Sequence, residues 1–492
     1  MKKLKLAFMA LQKWNASSSG LSKTVARKTM LHLGLLLCPL LIFGQNPNIR
    51  VYFNRTVNHN VNTGTPAIYL HNTLADTIAA YIIKAKVSVD IAQYDYSASS
   101  SGSAMAVIAN ACNTAKANGV VVRWIYDGSQ PNTGLTLLNS GISKLASPVV
   151  SGYIMHDKFV VIDVNSGTSL PYVITGSNDW GVTQTDSCYN NLVVFQDKPL
   201  ATAYYQEFNQ MWGGTGATPV TANEKFGVNK THSTTHSFNV NGTTVELYFS
   251  PKDSSDIHLE KAINTVNNEL VFGIYTITST TIANLIKTKY NAGITTFGIV
   301  DSYSTTATPN TAYTTLNAAL GSNLKVFTGA TSYVVYHNKT MLIDPLTPSS
   351  DPQVFTGSYN WTGAGATAND ENSVIIHDAN VTNQYYQSLC QNFTDVGGAA
   401  CPNIATGIAE PGNSDPDYTL YPNPFQDKLS LKLKDNADKI SIRIFDSMGR
   451  MVVEQQAADT HEMSVILPDL AKGIYFAAIQ ADGHSYFHKL IR

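Results

Sequence analysis

The chain is poor in charge. Asp, Glu, Lys and Arg make up only 14% of its 492 residues, and 33 basic side chains are balanced by 35 acidic ones. That balance excludes a self-repelling disordered chain. It also argues against a nucleic-acid surface, because across residues 46–400 basic residues are slightly outnumbered by acidic ones and form no stripe. Cysteine is scarce, at 5. No Cys-x-x-Cys pair and no histidine cluster has zinc spacing, which sets aside zinc-ribbon and dithiol redox designs. His232 and His236 stand four apart in a Thr-rich connector and are read as a solvated loop rather than a metal site.

Long apolar runs are lacking too. The longest, residues 30–44, follows Lys23, Arg27 and Lys28. It falls short of the ~20 residues a spanning helix needs. A basic stretch before a short apolar run is the pattern of an export leader, with a cut expected near Gly44 or Gln45. Cys38 follows Leu37 rather than a small residue, which speaks against a lipoprotein. Export permits disulfides. Of Cys112, Cys188, Cys390 and Cys401, the last two flank a Gly-rich turn and are the favoured pair.

What the chain does have is a long internal repeat. "HDKFVVID" at residues 156–163 returns as "HNKTMLID" at 337–344, displaced by 181 positions. The same displacement superposes Gly176-Ser177 on Gly357-Ser358, Trp180 on Trp361, Tyr204-Tyr205 on Tyr385-Tyr386, and Tyr94 on Tyr275. A period this long describes two copies of a domain-sized lobe, not a solenoid. Within each copy, helical and strand periodicities alternate. "LADTIAAYIIKAK", "VSVDIAQY", "AMAVIANACNTAKANG" and "VVVRWIYD" are answered by "DIHLEKAINTVNN", "LVFGIYTI", "TIANLIKTKYNAG" and "ITTFGIVD". The fold class is therefore α/β, with helices on the faces of a sheet in each lobe. Asn241-Gly242 predicts a hairpin turn. The expected segments are a leader over 1–44, lobes over 45–220 and 221–401, a linker over 402–417, and a small C-terminal β-sandwich over 418–492.

His-x-Lys-x4-Asp followed by Gly-Ser-x-Asn resembles the signature of the phospholipase D superfamily. The resemblance spans roughly residues 46–400. It implies two α/β/α lobes with mixed sheets, packed pseudo-symmetrically so that both motifs share one site for phosphodiester transfer. The implied catalytic set is His156, Lys158, His337, Lys339, Asp163, Asp344 and Glu371. The implied substrate-binding set is Ser177, Asp179, Ser358 and Asn360. Asp163 and Asp344 have strand parity opposite to the His-Lys pairs and are read as structural within that set. Trp180 and Trp361 are read as lobe core.

The chemistry follows from the residue types. One imidazole attacks phosphorus and the other protonates the leaving oxygen, then activates water or an alcohol. Two ammonium groups offset charge on the non-bridging oxygens, so no metal or other cofactor is expected. Glu371 is expected to hold the His337 ring and raise its pKa, making His337 the acid and His156 the nucleophile. The first lobe departs from the pattern twice. Asn190 aligns with Glu371, and Asp179 replaces the turn asparagine present as Asn360. For Asp179, three outcomes are open: it points away, Asn178 takes its place, or that half-site is weakened.

At the C-terminus, Tyr421-Pro422-Asn423-Pro424-Phe425, Gly449-Arg450, Gly473-Ile474-Tyr475 and Lys489-Leu490 resemble the sorting domain of the Bacteroidetes type IX secretion system. That implies the secretion machinery as a partner and a secreted or surface-attached protein. The leading function is a phosphodiesterase of the phospholipase D type, with a phospholipid substrate favoured over nucleic acid and transient contact with a membrane surface. An extracellular nuclease and a non-catalytic surface-binding protein are the alternatives. With both motifs in one chain, no obligate dimer is needed.

Overall fold

The computed structural model describes residues 46–100, 103–232, 234–308, 310–401, 418–446, 451–481 and 484–492. The expected leader, its cut, the 402–417 linker and the Gly449-Arg450 pair lie outside these residues. Among the described residues, no helix is long and apolar enough to cross a membrane.

The first lobe is built on strands β1 (Ile49–Phe53), β2 (Ile68–Tyr69), β3 (Ser88–Gln93), β4 (Val121–Tyr126), β5 (Ser143–Ala146), β6 (Lys158–Ile162), β7 (Tyr172–Gly176) and β8 (Asn191–Phe195). They form one mixed sheet in the order β2-β1-β8-β7-β6-β3-β4-β5. The second lobe has β9 (Ser237–Val240), β10 (Thr243–Ser250), β11 (Glu269–Ile274), β12 (Thr295–Asp301), β13 (Leu324–Phe327), β14 (Lys339–Ile343), β15 (Gln353–Gly357) and β16 (Glu371–His377). Their order is β13-β12-β11-β14-β15-β16-β10-β9. Each lobe's crossover helices cover its outer face. In the first, α1 (Leu74–Ile82) buries Leu74, Ile78, Tyr81 and Ile82, the stripe read from the sequence. There α2 (Ala106–Ala117) stops at Gly119, whose φ of +85° a side chain would disfavour. At the β9–β10 turn both Asn241 (φ 48°) and Gly242 (φ 95°) are left-handed, as a two-residue hairpin of this twist requires.

Two further helices, α4 (Lys198–Trp212) and α10 (Ala379–Asp395), close the motifs. With them a single apolar cluster draws on both lobes: Phe53, Phe159, Phe195 and Tyr204 from the first, Val245, Phe249, Leu342 and Tyr385 from the second. Ring contacts of Phe159 and Tyr204 with Phe249 cross the boundary at 6.2 and 5.3 Å. The lobes thus share one core, and α10 is buried on nearly all sides. Its polar side chains serve the other lobe: Asn383 donates to Val61 O, Gln384 to Pro66 O, and Gln387 accepts from Ala67 N. The Cys390–Cys401 disulfide is formed, as expected, and ties the end of α10 to the chain beyond it.

The tail is β-rich: β17 (Tyr418–Tyr421), β18 (Lys428–Asp446), β19 (Met451–Ile466), β20 (Ile474–Ala481) and β21 (His484–Ile491). These strands belong to one five-stranded antiparallel sheet. The long β18 serves both ends of it, across a register shift between Lys432 and Ala437.

Candidate active site

The two histidines stand just before regular strands, not in them, because β6 and β14 begin at the lysines. Each approach segment pairs with the other lobe. His156 N donates to Asp370 O at 2.8 Å, and His337 N donates to Tyr189 O at 3.1 Å. A carboxylate from the end of the next strand but one steadies each segment. Asp127 accepts from Met155 N at 2.8 Å, and Asp301 from Tyr336 N at 2.7 Å. Two asparagines continue the exchange: Asn372 Oδ1 accepts from Lys158 N, and Asn191 Nδ2 donates to Asn338 Oδ1. The Gly-Ser turns need their glycines. A Cβ on Gly176 would come within 2.3 Å of Asn191 O, and one on Gly357 within 2.2 Å of Asn372 O.

The rings are oriented across the lobe boundary as well, and this corrects the expectation for Glu371. Its Oε2 lies 2.7 Å from His156 Nδ1, not on His337. His337 Nδ1 instead meets Ser177 O at 2.8 Å and Asn190 Oδ1 at 3.2 Å, both from the first lobe. A carbonyl oxygen only accepts, so Nδ1 of His337 carries a proton. Ser177 and Ser358, expected at the substrate, stand behind these partners. Ser358 Oγ donates to Glu371 and Ser177 Oγ donates to Asn190, and both hydroxyls are fully buried.

Asp179 does not point away; it points inward. Its Oδ1 lies 2.8 Å from Lys158 Nζ and its Oδ2 lies 3.4 Å from His337 Nε2. It therefore bridges a lysine of one motif and the imidazole of the other. Asn178 does not replace it, since its amide turns to Gln184 O. Lys339 Nζ donates to His337 O at 2.8 Å. Asn360 keeps a buried Oδ1 with no hydrogen-bond partner. Asp163 and Asp344 sit at the far ends of β6 and β14, with φ of 60° and 50°. They accept from the backbone of residues 86–88 and 267–269, which makes them strand clamps.

Sequence reasoning placed Tyr94 opposite Tyr275 without giving either a role. Their faces receive Lys158 and Lys339 at 4.8 and 5.2 Å, and their rings lie 4.8 and 5.1 Å from His156 and His337. Asp127 and Asp301 were missed altogether. They end "VVVRWIYD" and "ITTFGIVD", which are 174 positions apart rather than 181. Aligning strand ends rather than holding one displacement would have found them.

The site is nearly closed: His156, His337, Lys158 and Lys339 are 5, 4, 3 and 0% exposed. Burial pushes both imidazoles well below the usual histidine range, and the two lysines push the same way. Burial and Lys158 bring Lys339 down to about 7. Burial raises Glu371 to about 8, against the pull of Lys158 and the Ser358 hydroxyl. Both shifts favour the uncharged forms of the His156 ring and the Glu371 carboxyl. An anion entering here would draw Lys339 and the rings back toward their charged forms.

A model of the cardiolipin synthase, phospholipase D-like domain matches residues 78–212 and 259–392. A model of the secretion system C-terminal sorting domain matches residues 419–492, which routes the protein through type IX secretion to the cell surface or beyond. A mitochondrial cardiolipin hydrolase from Xenopus tropicalis is 32% identical over 138 residues, which cover 27% of this chain and 57% of that protein. The chain thus spans little more than half of that relative's length. Phosphatidylserine synthase from Haemophilus influenzae Rd KW20 superposes with a TM-score of 0.50 at 13% identity, over 71% of this chain and 87% of that one. Nuc, a phospholipase D family member from Salmonella typhimurium, gives a TM-score of 0.25 at 20% identity, over 32% and 94%. At such identities the structural likeness speaks to the fold alone.

Proposed function

We propose that this chain, which belongs to the phospholipase D-like domain family, is a secreted phosphodiesterase that works through a phosphohistidine on His156 and acts on phospholipids. The observation that carries the reading is the asymmetric pair of rings. His156 has a carboxylate behind it, Glu371 on Nδ1, which leaves Nε2 as the attacking atom and stabilises positive charge on the ring as the P–N bond forms. His337 holds its Nδ1 proton on a carbonyl and turns Nε2 toward Asp179; the ring, held neutral at rest by burial and the two lysines, takes its second proton once the substrate anion offsets those lysines.

In the first step, His156 Nε2 bonds to phosphorus, the bond to the leaving oxygen breaks, and that oxygen takes the Nε2 proton of His337. In the second, His337 Nε2 takes a proton from water, the hydroxide oxygen bonds to phosphorus, and the P–N bond breaks. An alcohol in place of water would give transfer instead of hydrolysis. Lys158 and Lys339 offset charge on the non-bridging oxygens throughout.

Two features support a lipid substrate. The chain has no basic stripe for a polyanion. The loops leading into the two histidines expose apolar side chains, Val149 (69%) and Val150 (55%) before His156 and Tyr333 (75%) before His337. Such side chains suit the edge of a lipid layer better than a polyphosphate backbone.

The test is a substrate panel on purified protein in EDTA, with phospholipid vesicles and plasmid DNA in parallel, followed by acid-free mass spectrometry of the trapped intermediate. Head-group release and a phosphorylated peptide containing His156 are expected. DNA nicking without lipid turnover would move the reading to a nuclease. Silence on both would leave a binding protein.

A further inference from the structure

Among the described residues outside the catalytic site, His232, His236 and Asp253 form a cluster able to hold a metal ion. We propose that they form a site for one divalent cation that favours imidazole nitrogen, of the Zn²⁺ class, clipping the inter-lobe connector to the second lobe. The two histidines, expected to be a solvated loop, lie on that connector. Asp253 belongs to the second lobe, between β10 and α5 (Ser255–Thr265). One donor atom from each of the three lies within 4.8 Å of the others. His232 Nδ1 is 2.7 Å from Asp253 Oδ1, and His236 Nε2 is 3.9 Å from that same oxygen.

The supporting contacts turn this proximity into a directed set. His236 Nδ1 meets Leu247 O at 3.0 Å, so that nitrogen holds the proton and Nε2 offers its lone pair toward Asp253. A backbone carbonyl on the far nitrogen is the usual support of a metal-bound imidazole. The His236 ring also stacks on Tyr248 at 5.2 Å, and Tyr248 stacks on His258 at 3.6 Å, which fixes its plane. Asp253 is held by Phe249 N on Oδ2 at 2.9 Å, leaving Oδ1 for the histidines. Its side chain is only 4% exposed, while those of His232 and His236 are 64% and 38% exposed. A desolvated carboxylate thus faces two rings open to arriving metal.

Two nitrogens and one oxygen, with a remaining position for water, suit a four-coordinate ion with bonds of about 2.0–2.1 Å. Tetrahedral bonds of that length place ligand atoms roughly 3.3 Å apart. His232 would need to withdraw and His236 to advance, each by about half an ångström. Calcium and magnesium prefer all-oxygen sets and should compete poorly.

The test uses the full chain, stripped with EDTA and dialysed, and titrated with ZnCl₂ by calorimetry while unfolding temperature is followed. One ion per chain is expected, with a melting temperature that climbs with added zinc and does not respond to equal Mg²⁺ or Ca²⁺. His236→Gln and Asp253→Asn should each weaken binding at least tenfold and abolish the thermal response. His232→Ala, at the exposed ligand, guards against a folding artefact. Equal binding by wild type and the three variants would overturn the proposal. So would binding that disappears in His337→Ala but persists in His236→Gln, because the ion would then sit in the catalytic site.

Discussion

Replacing Asp179 by Asn probes the least conventional feature of the site. In the resting protein the carboxylate occupies Lys158, with a 2.8 Å contact inside a pocket that leaves it 9% exposed. A phosphodiester can use Lys158 only by displacing that carboxylate. A close, desolvated charge pair of this kind contributes at least about 1.5–3 kcal/mol. At about 1.4 kcal/mol per factor of ten, the displacement weakens substrate binding by roughly tenfold to a hundredfold. Asparagine keeps the shape and removes the charge, so KM should fall by about that factor.

The same substitution has an opposite effect on turnover. Asp179 Oδ2 lies 3.4 Å from His337 Nε2 and favours the protonated ring. The acid step needs that proton and fails as pH rises through the pKa of the ring. Removing the carboxylate lowers this pKa, so the descending limb of kcat should move to lower pH and kcat at neutral pH should drop. The assay compares an alkyl phosphodiester with a nitrophenyl one, since a nitrophenolate leaves without needing a proton. Both should show the lower KM, and only the alkyl ester should show the loss of kcat. An unchanged or higher KM would refute the competition at Lys158. An equal kcat loss on both esters would refute the acid role of His337.

Lys339 predicts a second pH effect. Burial and Lys158 hold it at about 7, so in the free enzyme it loses charge as pH rises past that value, and kcat/KM should decline there. Lys339→Arg, whose side chain stays charged, should move that limb upward even if the rate itself falls, and an unmoved limb on a pH profile would remove Lys339 from the account. Val150→Ser with Tyr333→Ser should cut turnover on vesicles several-fold and leave a short-chain soluble diester untouched; equal losses on both would count against a lipid-facing rim. Lys230 is 2% exposed and bonds Asp370, Glu207 and Ser250 O, with Asp157 nearby, whose carboxyl burial pushes well above the usual range against the pull of Lys230. Lys230→Met would strand the carboxylates and should cost about 3–5 kcal/mol, read as a lower urea midpoint.

Much of the molecule was legible because its signals are local. Apolar spacing in 74–82 fixes a helical face, Asn241-Gly242 specifies a turn, and a repeated His-x-Lys marks a site. Glu371 shows where such reading ends. The motif resemblance assigns it to its own lobe's His337, yet it serves His156, 215 residues away. No periodicity within a lobe carries that information, because it arises from how two sheets face each other through α4 and α10. Ser177 and Ser358 were misplaced for a related reason. A motif records that a hydroxyl is needed but not whether it meets the substrate or the residue behind the histidine. Asp127 and Asp301 escaped because loops of unequal length on either side of their strands hide the correspondence.

The exchange of parts between lobes bears on why the two histidines differ. Were each ring held by its own lobe, a lone lobe would carry a finished half-site, and the roles would follow from sequence around each motif. Here the first lobe supplies Ser177 O, Asn190 and Asp179 to His337, and the second supplies Glu371 and Asp370 O to His156. On the proposed mechanism, the division into nucleophile and acid is therefore set by the lobe opposite each ring. A change at position 190 or 371 acts first on the partner lobe's chemistry while leaving its own motif untouched. Covalent linkage of two copies is what permits this: in a dimer of identical lobes any such change would fall on both rings at once, and the two could not diverge.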